Sequence, residues 1–231
     1  MTRVLYELAG RDNHRFSPFC WRTLFALKHK ELDFDRVAMK FTDRSIIATS
    51  GQDRVPVIDD DGTIVHDSWG IATYLEEQYP DRPSLFGGSM GQGIAAVFNK
   101  WVDIAVHSEL RPIAVPGAFK HVDPDDSDWF RLSREAMLGM TLEALAEGQT
   151  DGLERLRTVL KPVHAALASQ PYICGDTPAY ADYILMGSLM WPRGCSDATL
   201  FEADDPIYEW RERMLGLFNG FAADAPRYAA A

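Results

Sequence analysis

The chain has 231 residues, 46% of them apolar and 25% charged, and a formal net charge of −11. Its length allows one large or two ordinary domains with ample core. The acidic balance argues against nucleic acid as a partner, because no basic patch is expected to neutralise phosphates. No run approaches the roughly 18 apolar residues of a membrane span, so we expect no membrane partner. Three cysteines without a framework, and an N-terminus without a signal-peptide core, predict a cytoplasmic location.

The N-terminal part of the chain alternates strand and helix patterns. A predicted strand over residues 2–8 is followed by a polar loop and by a helix that starts at Ser17-Pro18, where proline suits the first helical position. Residues 34–39 form a second predicted strand, and the segment 41–54 has no clean periodicity. This part therefore begins as strand, helix, strand and loop.

A hairpin and a second helix complete this part. Predicted strands over 55–58 and 63–65 are rich in β-branched residues and are joined by an Asp-Gly turn signal. A helix with an apolar stripe opens at Asp67-Ser68. The order β, α, β, loop, β, β, α is similar to that of a thioredoxin-like α/β domain, which we assign to residues 1–82.

Helical patterns dominate the rest of the chain. Residues 81–93 are rich in glycine and proline and predict a linker, and residues 93–225 predict an all-α domain. Five helices are expected in that part: 94–110, 126–147, 153–168, 179–190 and 205–218. Pro112 and Pro116 should interrupt the chain after the first helix, and Pro162 should kink or split the third.

Ser17 is the first candidate for chemistry, because it stands at a predicted helix N-terminus. Free amides and the helix dipole at such a position stabilise a thiolate, and a serine hydroxyl can donate a hydrogen bond to it. The spacing from Ser17 to Cys20 is that of a thioredoxin Cys-x-x-Cys with its first cysteine replaced, which favours activation of an external thiol. The alternative is that Ser17 only caps the helix. Cys20 is expected in the core, and Arg22 in an internal ion pair.

Two other residues near this helix start are alternatives to Ser17 for the catalytic position. Tyr6 lies near the end of the first predicted strand and is a second candidate for the partner of that thiol. Asn13 lies in the polar loop and could contact the sulfur. A packed strand aromatic and a solvated loop side chain are the plainer interpretations of these two residues.

A proline inside the strand pattern at Val55-Pro56 needs an explanation. It has no N–H for the sheet, so it belongs at a strand start or in a special, possibly cis, peptide bond. The stretch RVPVIDDDGTIVHDSW around it, together with SPFCWRTLFALKHK, LEEQYPDRPSLF and GDTPAYADY, resembles the cytosolic glutathione S-transferases. Within that family the chain is most similar to the bacterial β-etherases and the fungal FuA-type transferases.

The resemblance implies a glutathione site. By it, Pro56 is the cis-proline, and the Val55 backbone pairs with the cysteinyl unit of glutathione. Asp67 and Ser68 would hold the γ-glutamyl end. The glycyl carboxylate would lie near a base, for which the candidates are Lys40 and Arg54.

The resemblance also implies a second, apolar substrate site and a homodimer. Five residues are expected to line that site: Phe16, Phe19, His107, Phe119 and Trp191. The six histidines are scattered without metal spacing, so no metal is expected. The family function would attach the glutathione thiolate to a hydrophobic aromatic electrophile, and in the etherase version would cleave β-aryl ethers of lignin type. The alternatives are a non-catalytic protein that binds glutathione or aromatic ligands, and a glutathione-dependent isomerase, whose serine-cysteine pair is missing here.

One departure from the family concerns the helix predicted from residue 179. A serine or threonine normally caps it, with an aspartate three residues on, but here Ala179 occupies the cap position. Asp182 can still reach back to the cap amide. We expect the missing cap oxygen to weaken the helix start by roughly 0.5–2 kcal/mol.

Overall fold

The N-terminal part of the protein is a four-stranded sheet with helices packed on it. A computed structural model describes residues 2–228. The strands are β1 (Arg3–Leu8), β2 (Asp35–Met39), β3 (Val57–Asp60) and β4 (Thr63–His66). Their order in the sheet is β2-β1-β3-β4, with β1 and β2 parallel and the other pairs antiparallel. The proline-containing run enters the sheet only at Val57, because Pro56 cannot donate to the ladder.

Helix α1 (Pro18–His29) lies at the centre of the molecule. Nine of its residues are buried, including Trp21, Leu24 and Phe25. Leu5 and Ile58 of the sheet and Tyr183 of the helical part belong to the same apolar core, so α1 is covered from two sides. A helix buried on most of its surface is held by packing more than by helix propensity.

The remaining helices are α2 (Ser68–Gln78) on the sheet and eight helices beyond it. These eight are α3 (Ser89–Trp101), α4 (His107–His121), α5 (Ser127–Leu138), α6 (Leu142–Glu147), α7 (Gln149–Val159), α8 (Lys161–Leu167), α9 (Tyr180–Cys195) and α10 (Pro206–Gly220). The predicted architecture, an α/β thioredoxin-like part followed by a helical part, is confirmed. Within residues 2–228, none of the helices has the length and apolar character needed to cross a bilayer.

The predicted interruption at Pro112 and Pro116 is wrong. A wide π-type turn over Val102–Val106 separates α3 from α4, and α4 then continues through both prolines to His121. Each proline removes one backbone hydrogen bond, but Pro112 is buried against Gly152 of α7, where a Cβ would lie 2.7 Å from the Pro112 ring. Close packing of this kind outweighs the local preference for a break.

The other helix boundaries differ from prediction at glycine and linker positions. The helix predicted over 126–147 is two helices, because Gly139 adopts a left-handed conformation (φ 70°) that ends α5. The one predicted over 153–168 is split before Pro162, as predicted. Helix α3 starts at Ser89, inside the predicted linker.

Candidate functional site

The sheet register brings the predicted site residues to one end of the sheet. Leu8 pairs with Met39, so β1 and β2 end side by side. Val57 pairs with Tyr6 on one side and His66 on the other, so β3 begins where β4 ends. The segments that follow β1, β2 and β4, and the segment that precedes β3, therefore lie at this end of the sheet. They carry Ser17, Lys40, Asp67-Ser68 and Val55-Pro56, respectively.

The Val55-Pro56 peptide bond is cis, as the resemblance implies. Pro56 O accepts a hydrogen bond from Asp67 N at 3.3 Å, which ties the start of β3 to the start of α2. Within residues 2–228, neither the N–H nor the C=O of Val55 has a hydrogen-bond partner. A backbone with both groups free can pair with the backbone of a peptide ligand.

Asp67 caps helix α2 from a backbone conformation with a positive φ of 66°. Its Oδ1 accepts from Trp69 N at 2.9 Å and from Gly70 N at 3.1 Å. The Ser68 carbonyl accepts from the Tyr180 hydroxyl at 2.7 Å, which joins this turn to the helical part. The turn is therefore rigid, and it presents an exposed carboxylate beside the free Val55 backbone.

Ser17 is the N-cap of α1, and Pro18 occupies the first helical position, as predicted. The Ser17 Oγ accepts from Cys20 N at 3.3 Å, and the serine is 8% exposed. Acceptance uses a lone pair of the oxygen, so the hydroxyl hydrogen stays available for donation to a ligand. The cap geometry and a contact to a bound thiolate are thus compatible.

Cys20 and Arg22, behind Ser17, are parts of the structure's interior. Burial raises the pKa of the Cys20 thiol to about 12, which keeps it protonated and unreactive. The Arg22 guanidinium lies 2.8 Å from Asp103 and donates to Asn99 and Ser188 at 3.0 and 3.1 Å. The predicted internal ion pair therefore connects α1 to the helical part.

The two alternatives to Ser17 have other neighbours. Tyr6 is half-buried and packs against a small apolar cluster that includes Met39, Ile47 and Val57. Asn13 is exposed, and its Oδ1 accepts from Arg15 at 2.6 and 2.9 Å. Asn13 therefore has its acceptor oxygen occupied by Arg15.

The two candidate bases differ in how they are paired. Lys40 lies 3.0 Å from Asp123 and 2.8 Å from Asp125, and hydrogen bonds to these carboxylates raise its pKa. Arg54 is 89% exposed, and its one salt bridge within residues 2–228 is with Asp53 at 3.6 Å. Arg54 is therefore the freer cation for an incoming carboxylate.

The predicted aromatic lining falls into exposed and buried members. Phe19 is 36% exposed and meets the His107 ring edge-on, with centroids 5.5 Å apart. His107 in turn contacts Trp191 at 5.9 Å, so these three rings form one wall. Phe16, in contrast, is only 2% exposed and belongs to a buried apolar cluster. Phe119 and Trp191 are partly buried and pack against that cluster.

His107 is neutral at physiological pH. It is 6% exposed, and burial together with the Arg22 charge lowers its pKa to about 3. Its Nε2 lies 2.9 Å from the Ser188 hydroxyl. A neutral imidazole in this wall suits an uncharged aromatic ligand.

The depressed pKa of His107 predicts an acid-sensitive fold. The unfolded chain takes up this proton near pH 6.5 whereas the folded chain does not, so stability falls as pH drops from about 6.5 towards 3. Between pH 7 and 5 the loss from this residue should be about 2 kcal/mol. Denaturation of the wild type and His107→Gln at both pH values measures it, with His164→Gln as the control for an exposed histidine. Equal pH dependence in the wild type and His107→Gln would contradict the prediction.

A group of aromatic and basic side chains beside the site was not predicted from the sequence. Phe41, from the segment without periodicity, stacks on Trp129 of α5 at 5.5 Å, and Arg134 of α5 lies over both rings. Buried Asp126 fixes this contact by accepting from Phe41 N and Thr42 N. The only sequence signal was the pair of aromatics at the start of the predicted helix.

Comparison with known proteins identifies the family. The thioredoxin-like part, with a cis-proline before β3, is followed in this chain by a helical part. The glutathione S-transferase N-terminal domain profile matches residues 13–83, and the C-terminal domain profile matches residues 93–211. The chain therefore belongs to the glutathione S-transferase family.

Individual relatives are distant in sequence. Glutathione S-transferase 4 of Zea mays is 28% identical over 182 residues, which cover 75% of this chain and 74% of that protein. The glutathione S-transferase-like protein ustS of Aspergillus flavus is 27% identical over 138 residues, which cover 54% of this chain and 49% of that protein. The match with ustS thus spans about half of its length.

Two solved structures illustrate the shared fold. A glutathione S-transferase of Ceriporiopsis subvermispora in complex with glutathione has a TM-score of 0.77 and 24% identity, covering 96% of this chain and 94% of that one. Glutathione transferase GSTFuA3 from Phanerochaete chrysosporium has a TM-score of 0.77 and 23% identity, covering 100% and 99%. The similarity extends over both parts of the chain.

Proposed function

We propose that this protein is a glutathione transferase that joins the glutathione thiolate to a hydrophobic aromatic electrophile. The observation that carries the proposal is the free Val55 backbone beside the cis-proline, at the end of the sheet where α1 and α2 begin. The similarity to a structure in complex with glutathione supports the same ligand.

The residues at this end of the sheet fit the three parts of glutathione. Val55 would pair with the cysteinyl backbone, and the Asp67 carboxylate would receive the γ-glutamyl amino group with help from Ser68. Bound glutathione supplies the nucleophilic thiolate. Ser17 and the first amides of α1 would donate hydrogen bonds to the sulfur and hold it deprotonated.

The wall formed by Phe19, His107 and Trp191 supports an apolar aromatic co-substrate. Its members offer ring faces and edges and no charged group. Phe16 and Phe119 would support this wall from beneath. Within this class we propose β-aryl ethers, in which a phenolate leaves from the carbon next to a ketone. The support for this finer assignment is the sequence resemblance to β-etherases around Ser17 and Val55-Pro56.

We propose that the protein acts as a cytoplasmic homodimer. Helix α3 and the turn after it leave a row of apolar side chains in solvent at helical spacing: Met90, Ile94, Val97 and Ile104, which are 66–80% exposed. Phe98 and Trp101 lie beside them in a shallow apolar groove. An apolar stripe of this size on a surface helix is typical of a subunit interface.

Turnover of a small substrate panel tests the proposed function. Purified protein is incubated with glutathione and either a β-aryl ketone ether or a halonitroaromatic, and the products are identified by mass. We expect a glutathione adduct with at least one of them, and release of a phenol if the etherase assignment is right. Tight binding of a hydrophobic dye without any adduct would instead favour a ligand-binding protein on the same fold.

A further inference from the structure

The imidazole of His107 has one nitrogen in the interior of the protein and one nitrogen without a partner. Its Nε2 lies 2.9 Å from the Ser188 hydroxyl and 3.4 Å from a guanidinium nitrogen of Arg22. Its Nδ1 makes no hydrogen bond within residues 2–228, and it is not one of the enclosed polar atoms there that lack a partner. Although only 6% of His107 is exposed, Nδ1 is therefore accessible from outside.

The neighbours of Nε2 decide which nitrogen of the neutral ring carries the proton. A guanidinium N–H can only donate, so Arg22 requires an acceptor at Nε2. The Ser188 hydroxyl accepts from Arg22 at 3.1 Å and can donate its own hydrogen to Nε2. With the proton on Nε2, two donors would face each other at 3.4 Å. The ring therefore carries its proton on Nδ1.

A competing acceptor for the Ser188 hydrogen does not change this assignment. The Ile184 carbonyl, one turn earlier in α9, lies 2.9 Å from the Ser188 hydroxyl. That carbonyl already accepts from Arg22 Nε at 3.3 Å, so it keeps a partner when Ser188 donates to His107. Placing the proton on Nδ1 thus leaves neither Nε2 nor this carbonyl unpaired.

The unused Nδ1–H group belongs to the aromatic wall. The Phe19 and Trp191 rings meet the His107 ring edge-on, with centroids 5.5 and 5.9 Å away. Phe19 also lies over the Arg22 guanidinium at 4.9 Å, and so covers the charged group behind the wall. His107 directly follows the π-type turn over Val102–Val106, and such turns frequently occur at functional sites. One donor in a mainly apolar site is typical of a group that orients a ligand.

We infer that His107 donates a hydrogen bond from Nδ1 to a ketone oxygen of the aromatic substrate, and so favours aryl ketones over aromatics without an acceptor oxygen. This inference rests on the proposed function, because it assigns one group of the proposed substrate. A β-aryl ketone ether carries such an oxygen next to the carbon that the thiolate attacks. Since burial and the Arg22 charge keep the imidazole neutral, it binds this oxygen without transferring its proton.

Binding of a matched pair of aromatics tests this inference without turnover. Acetophenone and ethylbenzene have similar sizes, and only acetophenone has a ketone oxygen. Each is titrated, in the presence of glutathione, into the wild type and His107→Phe, and binding is followed by NMR of the ligand. The variant should bind acetophenone about tenfold more weakly than the wild type does, because one hydrogen bond is lost. The affinity for ethylbenzene should be the same in both proteins.

Three further variants separate the hydrogen bond from the shape of the wall. His107→Asn keeps an amide N–H near the position of Nδ1 and should retain most of the affinity for acetophenone. Trp191→Phe removes the indole N–H and part of the wall, so it should weaken both ligands equally. His164→Phe, which replaces an exposed histidine, should change neither affinity.

Two results of these titrations would overturn the inference. An equal loss of both ligands in His107→Phe, or no loss of either, would mean that the imidazole only shapes the wall. A loss of acetophenone alone in Trp191→Phe, with His107→Phe unaffected, would assign the ketone oxygen to the indole. Absence of a glutathione adduct with every electrophile, alongside acetophenone binding that depends on His107, would count against the proposed function alone.

Nitrogen-15 NMR of the histidine rings tests the tautomer in the wild type, where the folding of a variant plays no part. The His107 ring is assigned through its neighbours in the chain. We expect its proton on Nδ1, and a shift of the Nδ1 signal on addition of acetophenone but not of ethylbenzene. A proton on Nε2, or an Nδ1 signal that acetophenone leaves unchanged, would overturn the inference.

Discussion

Replacing Ser17 by alanine is expected to lower kcat/KM for glutathione conjugation by about 100-fold, which is the effect of removing one preorganised donor from a developing or bound anion. Ser17 caps α1 through its oxygen and keeps its hydrogen free. Its loss should raise the pKa of the bound thiol, so the rate of the variant should recover as the pH is increased. The pH profile of kcat/KM measures this shift.

Two controls separate catalysis from folding in this test. Loss of the cap should lower the free energy of unfolding by about 1 kcal/mol, so denaturation of Ser17→Ala shows whether the protein is still folded at the assay temperature. Ser17→Thr keeps a hydroxyl and should retain most of the activity. Tyr6→Phe should have little effect, because Tyr6 packs with Met39 and Ile47. An unchanged rate in Ser17→Ala together with a large loss in Tyr6→Phe would reverse the assignment.

The start of α1 was predictable because local chemistry decides it. Serine at the cap and proline at the first helical position are favoured by the geometry of any helix start, whatever packs around it. The proline in the strand pattern at Val55-Pro56 by itself left a strand start or a cis bond open, and the family resemblance implied the cis bond that is found. The fold followed from the order of such signals along the chain.

The pairing of Lys40 and the stacking of Arg134 on Phe41 and Trp129 were not predictable in this way. They depend on α5 approaching the segment after β2, and that approach is fixed by buried Asp126, some 84 residues away from Thr42. The same limit applies to α4, which continues through Pro112 because of packing against Gly152. Contacts between distant segments leave no periodic trace in the sequence.

Asp182 combines a local helix-start interaction and a contact with a distant helix in one side chain. Its Oδ2 accepts from Ala179 N at 3.1 Å, which is the predicted reach to the cap amide. Its Oδ1 accepts from Ile173 N and from Trp210 Nε1 of α10, both at 2.8 Å. Burial raises the pKa of this carboxyl, and the hydrogen bond from Trp210 is the first of several that oppose the rise.

Replacing Asp182 by alanine should therefore lower the free energy of unfolding by about 3–5 kcal/mol, because several buried donors lose their acceptor at once. Chemical denaturation at fixed protein concentration measures the loss. Asp176→Ala, which removes an exposed carboxylate from the same segment, should change stability by less than about 0.5 kcal/mol.

Asp182→Asn separates the hydrogen bonds of the two carboxylate oxygens, because only one of them stays an acceptor. The amide oxygen can keep the bonds from Ile173 and Trp210, but its NH₂ group then faces the N–H of Ala179, two donors in contact. The loss should be intermediate between those of the wild type and the alanine variant. If Asp182→Ala were as stable as Asp176→Ala, the carboxylate would contribute nothing beyond the packing of α9, and the start of that helix would be held by its buried apolar residues alone.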